Sequence, residues 1–492
     1  MSEFQTFVDD LLGAGSTVHV GGQWRSVAET IELNDPANPS SSTGQLAAGS
    51  SADVSDAYEA AEAARLEWAT TPAQARSDVL RKAADLLEAE THFAARRLTL
   101  DMGKAIRDAT AEVFRGVAIL RYYAGEVLQA AGEVYPSVDP QTSLHTIEEP
   151  VGTVALITPW NFPTAIPLWK MAPALVFGNT VVWKPASDAG GSAVLLVEVL
   201  RRAGLPGGVL NMVTGHGREL SGSITSAPSL GALSFTGSGG TGMNIQAALA
   251  DRTVKLQLEL GGKNPAIVLA DADLEDAAIQ ICRGAMFSTG QRCTATSRVF
   301  VEAAAAEEFT DLLVKQVDAL RVGDPMDPAT NVGPVASKAQ FETVSSYLDL
   351  AREEGTSFLT GGESAGEAEE GFFIQPTVLT GVDPSSRLVR EEIFGPVLCL
   401  VTVEGGFEEM VELANDTEFG LSSALFTSNL KDAMRFSRLS ESGVVHVNRE
   451  TAGVEPHVPF GGLKSSSNAH REQGTAARRF FTNTKTVYIR TP

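Results

Sequence analysis

At 492 residues the chain exceeds what one hydrophobic core normally supports, and with 43% hydrophobic and 20% charged residues it is globular by composition, so about two or three domains are expected. Its 38 basic and 61 acidic residues leave a net charge of −23, which repels phosphate backbones and anionic membranes and argues against nucleic acid as a partner. Three scattered cysteines, Cys282, Cys293 and Cys399, build neither a disulfide framework nor a zinc site, and the seven histidines lack paired ligand spacing; no metal is expected, and the reducing cytoplasm fits.

The first ten residues lack the basic and apolar stretches of a signal peptide, and no run approaches the ~18 apolar residues of a spanning helix, so neither export nor a membrane is expected. From 53 to 128 the chain is rich in Ala, Glu, Arg and Leu, with apolar residues at three and four, as in Val79-Leu80, Ala83-Ala84 and Leu86-Leu87, which predicts amphipathic helices. Between 132 and 149 β-branched residues, Pro and Gly without helical period predict an extended hairpin or arm. Strand and helix then alternate: strands at 151–158, 180–183, 209–213 and 231–235, helices at 170–177, 192–203 and 217–225. Such alternation predicts βαβ units and a parallel sheet covered on both faces. A second α/β unit follows Gly262, with strands at 265–269 and 298–301 around a helix at 273–287 that enters the Cys293 loop. The acidic stretch at 363–370 reads as a solvated loop.

Two motifs carry chemistry. Cys293 stands in Gly290-Gln291-Arg292-Cys293-Thr294, where small and polar neighbours and the adjacent Arg292 can lower a thiol pKa toward a reactive thiolate. A lone cytosolic cysteine is more often a buried filler. What weighs against that reading is Leu258-Glu259-Leu260-Gly261-Gly262-Lys263, which offers a general base. A glycine-rich turn, Thr236-Gly237-Ser238-Gly239-Gly240-Thr241-Gly242, lies between a strand and a helix expected from Met243 to Ala250, where bare N–H groups could meet a pyrophosphate. It lacks the strict dinucleotide fingerprint, because no independent acidic residue follows about twenty positions on.

Seven segments in order, Pro159-Trp160-Asn161-Phe162-Pro163, Trp183-Lys184-Pro185-Ala186-Ser187, Phe235-Thr236-Gly237-Ser238, the Glu259 motif, the Cys293 motif, Glu391-Glu392-Ile393-Phe394-Gly395-Pro396 and Pro459-Phe460-Gly461-Gly462, resemble the aldehyde dehydrogenase superfamily over nearly the whole chain. The resemblance implies an α/β fold with a Rossmann-like cofactor domain (1–127 and 150–260), an α/β catalytic domain (261–470) and a β-arm (128–149 and 471–492) that pairs subunits into a homodimer or homotetramer. It implies a catalytic group of Cys293 as nucleophile, Asn161 and the Cys293 N–H as oxyanion donors, Glu259 as the base for water, and Lys184. Lys184 would also bind the adenosine ribose, and Gly217 would be a further cofactor residue. Ser238 and the helix behind it would take the pyrophosphate, Glu392 and Phe394 the nicotinamide ribose and ring, and Thr241 would be a further cofactor residue. Thr158, Pro159, Trp160, Phe235, Gly237, Leu260 and Gly261 would complete the cofactor cradle.

Ser187 departs from the glutamate that NAD-preferring relatives often carry there; loss of that charge leaves room for a 2′-phosphate, so NADP is the expected cofactor and NAD the alternative, with Asp188 nearby. The tail from Val447 through Phe460 to Gly474, and Cys293-Thr294-Ala295-Thr296-Ser297-Arg298, resemble the α-ketoglutaric semialdehyde (2,5-dioxopentanoate) dehydrogenases. The substrate is then a small aldehyde bearing a carboxylate, met by Arg292 and Arg449, with Trp169 and Phe460 as further substrate residues. Trp169-Lys170 stands where succinate-semialdehyde enzymes usually offer an arginine before the lysine, which disfavours that substrate and leaves aromatic or aliphatic aldehydes as the alternative. A non-catalytic member would be expected to have lost Cys293, Glu259 or Asn161, and a CoA-acylating one the Glu259 base; all three residues are present.

Overall fold

A computed structural model describes residues 2–364 and 370–490. Most of the expected acidic loop at 363–370 therefore lies outside the described residues. The helical stretch resolves into four helices, Ser51–Thr70, Ala73–Ala89, Thr91–Met102 and Ile106–Glu126, broken at Pro72, Glu90 and Gly103, the last in the left-handed region at φ 75°. Ser50 begins the first with a reciprocal capping box to Asp53.

Two seven-stranded sheets form the body. In the first, Lys255–Glu259, Leu230–Thr236, Thr153–Thr158, Thr180–Pro185 and Leu210–Met212 run parallel in that spatial order. The antiparallel strands Val18–Val20 and Gln23–Arg25 extend its edge. Successive side chains of a strand point to opposite faces. Val154 and Leu156 accordingly enter one apolar core with Trp183, while Ala155 and Val182 enter a second. The other sheet has the order Ser357–Thr360, Thr377–Thr380, Val397–Val403, Thr296–Glu302, Asn264–Val268, Ser422–Phe426 and Val444–Val447, parallel except at its first strand. Its faces divide in the same way, Ala266 and Val268 against one core and Ile267 against another.

The arm is a three-stranded antiparallel sheet, with Thr142–Pro150 between Thr482–Arg490 and Val134–Tyr135. Its second limb, expected from 471, becomes a strand only at Thr482; the helix Gly474–Phe481 buries Phe480 and Phe481 in the first core instead. No helix among the described residues is long and apolar enough to cross a membrane.

The helix expected at 170–177 begins earlier and spans Ala165–Val176. Every one of its residues is buried, so no polar face marked its start in the sequence. Its first turn is capped from a distance: the Glu112 carboxylate accepts the N–H groups of Thr164 and Ala165 at 2.8 and 3.1 Å. Glu112 also pairs with Lys104, whose Nζ donates to the Asn161 carbonyl at 2.8 Å, both side chains being fully buried. Breaking a buried pair on one side strands the other charge. Lys104→Met is therefore expected to destabilise the fold by about 3 kcal/mol, seen as earlier thermal unfolding, with Lys104→Met/Glu112→Gln recovering part of the loss; no change in the single variant would contradict this coupling.

Candidate active site

Parallel strands bring their carboxyl ends to one edge, where open α/β sheets bind ligands. On this edge of the first sheet lie Thr158-Pro159-Trp160-Asn161, Lys184 to Ser187, Gly237-Ser238 and Leu260-Gly261. Pro159, Trp160, Asn161, Thr236, Gly237, Ser238, Leu260 and Gly261, together with Glu392 and Phe394 from the second sheet's side, line a cavity of about 270 Å³. A Cβ on Gly237 would fall 2.6 Å from the Phe235 ring, and one on Gly261 2.6 Å from Glu392 Oε2, so both positions need bare backbone. Glu392 Oε1 accepts the Gly262 N–H at 2.8 Å, and burial pushes its pKa up to about 7. Phe394, at φ 58°, meets the Trp160 ring edge-on at 5.5 Å.

The phosphate-loop helix spans Gly239–Ala248 rather than starting at Met243; glycines are poor helix formers and hid its first turn. Ser238 is its N-cap but donates to Thr241 Oγ1 at 3.0 Å and caps no backbone N–H, which leaves the positive helix end open beside the cavity. Thr236 Oγ1 is buried without a partner on the same wall. Bare backbone, an open helix start and an unpartnered hydroxyl suit the phosphates and ribose of a dinucleotide.

Lys184, Ser187 and Gly217 cluster outside that cavity. A Cβ on Gly217 would lie 3.8 Å from Lys184 Nζ, which donates to the Pro185 carbonyl at 3.0 Å. Ser187 Oγ donates to the Gly215 carbonyl at 3.3 Å. Burial lowers the Lys184 pKa, and Asp188 opposes the shift.

The Cys293 loop follows the helix Leu274–Met286, where Ser288, Thr289 and Gly290 adopt φ of 54°, 59° and 67° in succession. A Cβ on Gly290 would fall 2.2 Å from the Gly395 carbonyl. Asn264 Nδ2 donates to the Cys293 carbonyl at 2.8 Å and fixes the loop from below. The expected lowering of the Cys293 pKa is reversed: burial pushes it up to about 12, and the Glu392, Glu259 and Glu472 charges add to the rise. Arg292 offers little relief, because its guanidinium stands 3.5 Å from Glu450.

Asn161 is buried and donates from Nδ2 to the Gln291 carbonyl at 3.0 Å, which leaves one amide hydrogen for the cavity it lines. Glu259 is buried too. Its Oε2 accepts from Ser467 Oγ at 2.7 Å, its Oε1 has no partner, and burial followed by the Glu472 charge raises its pKa well above 4.5. Glu472 itself pairs with buried Lys170. Neither Ser467 nor Glu472 could be assigned to Glu259 from sequence, since they join it from more than two hundred residues away.

A second cavity, also about 270 Å³, lies on the other side of Cys293. Trp169 and Phe460, ring centres 5.7 Å apart, line it with Phe162, Ile166, Arg292 and Glu450. Arg449 does not reach it. The chain turns at Asn448, φ 53°, whose Oδ1 and Nδ2 bond the backbone of Thr427, so Glu450 faces the cavity and Arg449 is exposed. In its place one face of the helix Ile106–Glu126 supplies Asp108, Ala111, Glu112 and Arg115 at helical spacing of three and four. That spacing was present in the sequence but carried no motif. Among the described residues no group of His, Cys, Asp and Glu side chains could hold a metal ion.

The chain is 42% identical to the α-ketoglutaric semialdehyde dehydrogenase of Bacillus subtilis, over 96% of this chain and 97% of that one. It is equally 42% identical to the α-ketoglutarate semialdehyde dehydrogenase of Haloferax volcanii, over 96% and 98%. Betaine aldehyde dehydrogenase from Staphylococcus aureus, solved in complex with NAD+, superposes with a TM-score of 0.94 at 32% identity, covering 99% of this chain and 98% of that one. The aldehyde dehydrogenase family model matches residues 24–487, and the chain belongs to the aldehyde dehydrogenase family.

Proposed function

We propose that this enzyme oxidises α-ketoglutaric semialdehyde to α-ketoglutarate with a nicotinamide cofactor in the cytoplasm, Cys293 being the nucleophile. The observation that carries the reading is the position of Cys293 on the wall of both cavities, one with the features of a dinucleotide cradle and the other closed by apolar and charged side chains suited to an aldehyde. The names of the relatives described above support the substrate.

The Cys293 sulfur, once deprotonated, adds to the aldehyde carbon and gives a thiohemiacetal. Its oxyanion is held by the free Asn161 amide hydrogen and the Cys293 N–H. A nicotinamide cofactor held in the neighbouring cavity would supply the acceptor for the hydride lost from this carbon, and Cys293 would then carry the acyl group as a thioester. Glu259 then takes a proton from water through its unpartnered Oε1; the resulting hydroxide adds to the thioester, the C–S bond breaks and the acid leaves. Burial, followed by the Glu472 charge, raises the Glu259 pKa and makes its carboxylate a stronger base toward water than an exposed glutamate. Glu392 and Phe394 orient the nicotinamide ribose and ring. Lys184 and Gly217 hold the adenosine ribose, and Ser238, Thr241 and the open helix end take the pyrophosphate. Phe162 and Ile166 with Trp169 and Phe460 exclude water around the aldehyde.

NADP is the preferred cofactor in this reading, because Ser187 presents no carboxylate to a 2′-phosphate and Lys184 stands close by. The arm carries exposed Val134, Tyr488 and Ile489, apolar surface suited to burial in a homodimer or homotetramer.

With α-ketoglutaric semialdehyde, Glu259→Gln is expected to form one equivalent of reduced cofactor in a burst and then stall as the thioester. Steady turnover at the wild-type rate would mean that another base activates water. Ser187→Glu is expected to shift the NADP-to-NAD ratio of kcat/KM about tenfold toward NAD, from like-charge repulsion of about 1–3 kcal/mol. An unchanged ratio contradicts the ribose-pocket argument.

A further inference from the structure

Charge in the aldehyde cavity is almost completely matched within the protein. Asp108 accepts the Ser288 N–H at 3.1 Å and lies 3.5 Å from Arg107. Glu112 is taken by Lys104 and the N–H groups of Thr164 and Ala165, and Glu450 by Arg292 at 3.5 Å, although Arg292 Nε, like that of Arg115, is buried without a partner. Arg115 is the exception. It lines the cavity, half-buried on the helix face of Asp108 and Glu112, and has no carboxylate within ion-pair distance among the described residues. Its Nη2 donates to the Val454 carbonyl, which fixes the guanidinium plane, while its Nε is buried with no partner at all. A buried donor left unmatched is unfavourable, and a guanidinium keeps its charge and its planar fork even when partly desolvated.

We propose that Arg115 binds the substrate carboxylate and thereby sets the preference for an acid-bearing aldehyde. The inference rests on the substrate reading above and assigns its anchor to a residue other than Arg292, whose guanidinium Glu450 already faces. With the carboxylate on Arg115 and the aldehyde carbon on Cys293, the substrate's carbon chain lies along Phe162, Ile166, Trp169 and Phe460, all of which line the same cavity. Apolar walls of this kind strengthen a charge-assisted pair by excluding water.

The test compares kcat/KM for α-ketoglutaric semialdehyde and for pentanal in the wild type, Arg115→Ala, Arg115→Lys and Arg292→Ala, with α-ketoglutarate as a competitive inhibitor. Truncating one partner of a buried, hydrogen-bonded charge pair lowers binding by at least about 30-fold. The acid-to-pentanal ratio is expected to fall by that factor in Arg115→Ala, through KM rather than kcat. The inhibition constant for α-ketoglutarate should rise in parallel, and Arg115→Lys should recover part of both. A merely structural role would reduce both substrates together. An unchanged ratio in Arg115→Ala, or a selective loss confined to Arg292→Ala, overturns the assignment. A wild type that handles pentanal as well as the semialdehyde defeats the substrate reading instead, which is a separate failure. If Arg115→Ala does not fold, Arg115→Gln, which keeps a donor for the Val454 carbonyl, carries the same comparison.

Discussion

Burial of ionisable groups around one thiol is the constraint on which the centre of this molecule depends. Glu259 is buried, Cys293 and Glu392 are half-buried on cavity walls, and each is pushed toward its protonated form. Three carboxylates raise the Cys293 pKa further, so a resting thiolate is disfavoured. The ionisation of the sulfur is thereby tied to the charge of the carboxylates around it. Both cavities border Cys293, so a charged group bound in either one would stand beside the sulfur.

Geometry at this junction is held by a segment that returns from the second sheet to the first. The Leu260 N–H donates to the Ser466 carbonyl at 2.7 Å, and Asn468 bonds the backbone of Leu256 and Leu258. Gln257 reaches the Arg471 carbonyl at 3.0 Å. These contacts occupy the outer edge of the strand Lys255–Glu259, which would otherwise present unpaired backbone groups. The same segment delivers Ser467 to Glu259 and Glu472 to Lys170, so covering an edge and placing the partners of a buried carboxylate are one structural act. On the opposite side, the Lys104–Glu112 pair reaches the Asn161 carbonyl from the helical layer. Asn161 and Glu259 are thus both held by residues distant in sequence.

Periodicity and short motifs made much of this legible. Short apolar runs at 151–158 and 180–183 marked the strands Thr153–Thr158 and Thr180–Pro185, and the ordered segments around Asn161, Glu259, Cys293 and Glu392 indicated residues that the fold brings to one junction. What escaped was decided by long-range contact. The fully buried helix Ala165–Val176 has no polar face, and Gly239–Ala248 opens on glycines, so both starts were obscured. Arg292 beside Cys293 suggested a lowered thiol pKa, whereas the balance is set by burial and by carboxylates at 259, 392 and 472. Arg449 and Glu450 are neighbours in the chain, and only the turn at Asn448 decides which one enters the cavity. Arg115 meets the Val454 carbonyl across 339 positions, a contact that no local pattern announces.

The central claim is that a covalent adduct on Cys293 is obligatory for aldehyde oxidation. Its most direct test is Cys293→Ala, followed by reduced-cofactor formation at saturating aldehyde and, separately, by cofactor binding through tryptophan fluorescence, since Trp160 borders the dinucleotide cavity. The account predicts that the variant binds cofactor with an affinity close to wild type yet forms no reduced cofactor, neither as a burst nor in steady state. Turnover above about one per cent of wild type, far more than loss of a covalent nucleophile permits, would contradict it.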